Sequence, residues 1–143
     1  MKDQSRLTAA TLLLALALPA VAPAAEKEKS IGQLEYERNC ATCHGLQGKG
    51  DGPFAEFLKE GTPSLTTLSK NNNGVFPFDR VHAYIDGRKW TAGHGSREMP
   101  VWGAQYTEES MEAHGPFFGQ WYAEDVVQAR ILALVEYIST LQE

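Results

Sequence analysis

Residues 40–44 read CATCH, and Cys40 and Cys43 are the only two cysteines in a chain of 143 residues. A pair this close restricts what the chain can build. A disulfide across Cys-x-x-Cys closes a very small loop and constrains little of the unfolded state. A zinc site of the usual kind needs a second pair of ligands at matching spacing, and there is no third cysteine. A thioredoxin-like redox pair needs a strand–helix setting, and residues 30–55 show no strand pattern.

The compartment narrows the choice. The chain starts MKDQSR, continues with the charge-free LTAATLLLALALPAVAPAA, and changes abruptly to EKEKS. A short basic start, an apolar core and small residues at Ala22-Pro23-Ala24 are the pattern of a secretory signal peptide. The expected division is therefore 1–24 as leader and 25–143 as one mature domain of periplasmic or otherwise exported address. A retained membrane anchor is the rival reading, but the Leu/Ala core is short for a span of roughly 20 residues. No second long apolar segment follows it. The net charge of −5 becomes −6 once Lys2, Arg6 and Asp3 leave with the leader. Acidity of this kind argues against a nucleic-acid partner, whose binders are usually basic.

His44 completes a Cys-x-x-Cys-His motif, the pattern of covalent c-type haem attachment. On a helical turn, residues three apart share a side. Two thiols so placed can form thioethers to the two vinyl groups on one porphyrin edge, and the next residue offers an imidazole to the iron. The expectation is one haem c, attached through Cys40 and Cys43, with His44 as proximal ligand. For the distal position the best-placed residue is Met99, in HGSREMPVWG. Pro100 stiffens the backbone there and disfavours helix at the residue before it. Met111, His82, His94 and His114 are competing ligands.

Three helices are readable. SIGQLEYERNCA starts with Ser30 as N-cap and Gln33 completing a capping box. Gly32, Tyr36 and Cys40 then follow at steps of four. A glycine inside a helix costs about 1 kcal/mol relative to Ala, which is explained if another helix approaches there. DRVHAYID reads as a middle helix with Asp79 as cap and Gly87 as stop. AEDVVQARILALVEYISTLQ carries an apolar stripe of Val127, Ile131, Leu134, Ile138 and Leu141. Between them lie the loops GLQGKGDGP and SKNNNGVFPF. Nothing alternates as a strand does, so the expected class is all-α, small and loop-rich.

From Ser30 to Leu141 the chain resembles the class I, mono-haem cytochromes c. Gly32, Tyr36 and Cys40 match that family's first helix, and Leu134 and Tyr137 match the Leu and aromatic of its last. The resemblance implies that the N- and C-terminal helices cross around one covalent haem. It also implies that Pro63, in Pro63-Ser64-Leu65, accepts a hydrogen bond from the proximal imidazole, with Pro53 as the alternative. Met99-Pro100 resembles the family's distal ligand loop. The segment 104–122, with Phe117, Phe118, Trp121 and Tyr122, is longer than a minimal member needs. Arg88, Trp90, Arg97 and Trp102 are candidates for contacts to the haem propionates, since guanidinium forks and indole N–H groups suit carboxylates.

His/Met ligation leaves no open position on the iron, and the thioether raises its potential. The implied function is therefore not enzymatic. It is outer-sphere electron carriage between redox proteins whose identity the sequence does not give. Two alternatives stay open: an electron-transfer subunit of a larger dehydrogenase or oxidase, and a gas-binding haem sensor or enzyme in which Met99 does not close the iron.

Overall fold

A computed structural model of the chain describes residues 28–88, 99–115 and 119–143. The expected leader, Trp90, His94, Arg97, Phe117 and Phe118 lie outside them. The described residues form five α-helices and no strand: α1 (Ile31–Asn39), α2 (Ala41–His44), α3 (Phe78–Asp86), α4 (Trp102–His114) and α5 (Gly119–Thr140). None of these helices is long and apolar enough to cross a membrane. Two short 3-10 turns, at Ala55–Phe57 and Lys70–Asn72, interrupt the long connection from α2 to α3.

The all-α class with crossing terminal helices is what the molecule shows. The hydroxyl of Ser30 accepts the Gln33 N–H at 3.1 Å, so the cap is made. The reciprocal half of the capping box is not. Gln33 Nε2 donates instead to Glu37 Oε1 at 2.9 Å, because a residue one turn along the helix competes for it. At the crossing of α1 and α5, a Cβ on Gly32 would fall on the carbonyl oxygen of Ala133 and reach Tyr137 Cβ at 3.0 Å. Close approach, not chance, explains this glycine. Tyr36 and Tyr137 meet one turn further on, with ring centroids 5.2 Å apart. Around them Val127, Ile131, Leu134, Val135 and Ile138 of α5 form the core with Val81 and Ile85 of α3 and with Trp102 and Tyr106 of α4.

Three boundaries differ from the sequence reading. Helix α3 starts two residues early, with Pro77 rather than Asp79 at its cap and Asp79 inside its first turn; Gly87 ends it as expected, at φ 64°. Helix α5 begins at Gly119, four residues ahead of Ala123, where the segment read as a helix starts. The segment 104–122, in which the sequence shows no full helix, is largely helix α4. Its buried face is Trp102, Gly103, Tyr106 and Ser110, so half of it is made of small residues and carries no apolar signal. Tertiary packing, not periodicity, holds it.

Charge also ties the helices together. Arg130 of α5 forks onto Glu35 of α1, with Nε to Oε1 at 3.0 Å and Nη2 to Oε2 at 3.1 Å, and sends Nη1 to Glu109 of α4 at 2.8 Å. Its guanidinium lies 3.7 Å from the centroid of the Tyr106 ring. Arg88 pairs with Asp86 and Glu124, each at 2.6 Å, which joins the end of α3 to the start of α5.

Candidate haem site

The CATCH residues fold as a tight helical turn. Cys40 ends α1 and opens α2. The N–H of Cys43 reaches the Cys40 carbonyl at 3.2 Å, and that of His44 reaches it at 2.8 Å. Spacing of three within a turn brings Cys40 and Cys43 to one side. The two thiols are not joined. Burial pushes the Cys40 thiol up to about 12, helped by the charges of Glu35 and Cys43.

The loop after the turn folds back onto it. Gly50, Gly52 and Phe54 donate their N–H groups to the carbonyls of His44, Cys43 and Thr42 at 2.8, 3.1 and 2.9 Å. These acceptors would otherwise be orphaned at a helix end. Gly52 sits so close that a Cβ there would lie 2.6 Å from the Ala41 carbonyl oxygen. From the other side the buried hydroxyl of Tyr36 donates to the carbonyl of Gly45, directly after His44, at 2.7 Å.

His44 Nδ1 lies 3.2 Å from the carbonyl oxygen of Pro63. A carbonyl only accepts, so Nδ1 carries the proton, and in a neutral ring Nε2 is then the free lone pair. Burial lowers the His44 pKa, opposed in part by this bond; burial favours the neutral ring that a metal ligand must be, and the bond keeps it oriented. Pro53, the alternative, has no such bond among the described residues. The Pro63 loop is itself clamped. Leu65 N–H donates to Gly48 O at 2.6 Å, Gln142 Nε2 donates to Leu65 O at 2.8 Å, and Ser69 N–H donates to Gln142 Oε1 at 2.9 Å. Nothing in the sequence around Gln142 signals this role.

Met99 stands three residues before α4 and is 39% exposed. Its segment is anchored where buried Trp102 enters the core and where Val101 passes Gly87 at the end of α3. The competing ligands His82 and His114 are engaged elsewhere, by Gln128 Oε1 at 2.9 Å and by the Ser110 carbonyl at 3.0 Å. Met111 is exposed on α4. Two of the proposed propionate partners have other employment: Arg88 is held by Asp86 and Glu124, and Trp102 packs on Tyr106 with centroids 5.6 Å apart.

These residues fit a covalently attached haem. The donor set is two unjoined thiols on one side of a turn, with a neutral imidazole at the next position whose far nitrogen is kept free by Pro63. Cys40, Leu65, Leu68 and Phe76 are partly buried hydrophobics packed against the core. The comparisons agree with this chemistry. A family model described as "Cytochrome C oxidase, cbb3-type, subunit III" matches residues 27–114, more than half of the chain. No curated protein and no solved structure matches it.

Proposed function

The chain belongs to the c-type cytochrome family of cbb3-type oxidase subunit III, and on that premise we propose that it is an exported, single-haem electron carrier whose iron His44 and Met99 would hold. The observation that carries the reading is the CATCH turn with its His44–Pro63 bond. Residues 1–24 serve as a cleaved signal, and residues 25–143 work outside the cytoplasm. Cys40 and Cys43 anchor the haem, which supplies an iron that takes up and releases one electron. Pro63 holds the proton on Nδ1 and so fixes the plane of the His44 ring. Tyr36, Gly45 and the carbonyl-capping loop hold His44 still, which keeps reorganisation on electron transfer small. Met99 would shield the iron from small ligands, which suits exchange of electrons with redox proteins rather than transformation of a substrate.

The family's description favours a second setting for the same chemistry, as the electron-transfer subunit of an oxidase; stable co-purification with that oxidase would select it over free diffusion. The coordination itself is tested by absorption spectroscopy. The ferric holoprotein will be low-spin with the weak far-red sulfur–iron band, and the ferrous form will not change on adding carbon monoxide. A high-spin spectrum that shifts with carbon monoxide would overturn Met99 ligation and favour the gas-binding alternative.

A further inference from the structure

We propose that the charge cluster Glu35–Arg130–Glu109, with Tyr106 and Asn39, sets the electron affinity of the haem site through its position beside Cys40; this rests on the haem reading above. The cluster reaches the attachment residue by way of its neighbour. Asn39 Nδ2 donates to Glu35 Oε2 at 2.9 Å and to the Tyr106 hydroxyl at 3.3 Å, and its backbone runs straight into Cys40. Cys40 packs against the same core that contains Tyr106. The Tyr106 hydroxyl in turn donates to Glu35 Oε2 at 3.3 Å. The Glu35 charge is felt at Cys40, where it opposes the thiolate.

Two carboxylates facing one guanidinium leave a net charge of minus one. The side chains of Glu35 and Arg130 are only 13% and 20% exposed, and that of Glu109 is 43% exposed. Water screens the inner pair poorly, so its charges act over several ångströms. A net negative charge beside Cys40 disfavours the added electron of the reduced state. Removing a carboxylate therefore favours reduction, and removing the guanidinium opposes it.

The test is a spectroelectrochemical titration of holoprotein at pH 7 and low salt. At a fixed solution potential, Glu35→Gln is expected to raise the reduced-to-oxidised ratio on the order of tenfold, as removal of a poorly screened unit charge would; that is about 59 mV for one electron. Arg130→Gln is expected to lower the ratio by a similar factor. Glu109→Gln, the most exposed member, should raise it by only about threefold because solvent screens it. Shifts of the same sign for Glu35→Gln and Arg130→Gln would overturn the proposal. So would changes below about twofold in both Glu→Gln variants with the wild-type spectrum retained. If Arg130→Gln fails to fold, the two Glu→Gln variants decide the matter alone. A wild-type protein without covalent haem would sink the haem reading itself, whereas a wild-type haem with unmoved potentials in the variants would sink this inference only.

Discussion

Gly32→Ala will destabilise the holoprotein by about 3 kcal/mol, at the upper end of what overpacking costs. In an ordinary exposed helix the same change stabilises by about 1 kcal/mol, since Ala is the better helix former. The sign reverses here because of the crossing with α5. The added Cβ would meet the Ala133 carbonyl oxygen and lie 2.6 Å from its carbonyl carbon. Both are backbone atoms of a buried helix, so no side chain can swing away. Relief requires α1 and α5 to separate, which also loosens the contact of Tyr36 with Tyr137 and the Tyr36 bond to Gly45. The damage should thus pass from the crossing to the His44 turn. Denaturant titration of the two holoproteins reads the effect. A neutral or stabilised Gly32→Ala would mean that the helices do not pack as closely as described.

Met99→Ala will leave the haem covalently bound but open its distal side. The ferric spectrum is expected to turn high-spin, the ferrous form to bind carbon monoxide, and the potential to fall by about 0.2 V. That fall is a fraction of the roughly 0.8 V over which axial ligands move haem potentials. The size follows from the exchange of a thioether, which favours the ferrous state, for water or nothing. Folding should be little affected. Met99 is 39% exposed, and its loop is anchored by Trp102 and by the Val101–Gly87 contact, neither of which the substitution touches. Unchanged coordination in Met99→Ala would move the distal ligand to another residue, and His94 would be the next to replace.

Much of this was written in the sequence, for physical reasons that can be named. The CATCH spacing commits the backbone to a turn, and the stripe in α5 could only be a buried helix face. Gly32 was legible because a glycine costs stability in a helix interior and so asks for an explanation. Helix α4 was legible only as a polar turn of helix around Met111: Gly103 and Ser110 share the buried face with Trp102 and Tyr106, and no capping side chain marks the start. The Glu35–Arg130–Glu109 cluster was hidden because its members lie 95 and 21 residues apart and each resembles an ordinary solvated charge. Arg88 misled for a related reason. A guanidinium suits a propionate, but it suits Asp86 and Glu124 equally well. The Gln142 clamp on the Pro63 loop follows from where the C-terminal end of α5 arrives, which no local pattern encodes.

The most direct test of covalent haem attachment is mass spectrometry of the matured wild-type protein after acid–acetone extraction. The colour should stay with the polypeptide, its mass should exceed that of the bare chain by one haem, and the extra mass should map to the peptide holding Cys40, Cys43 and His44. A colourless polypeptide of bare-chain mass, with both cysteines open to alkylation, would contradict the account at its base.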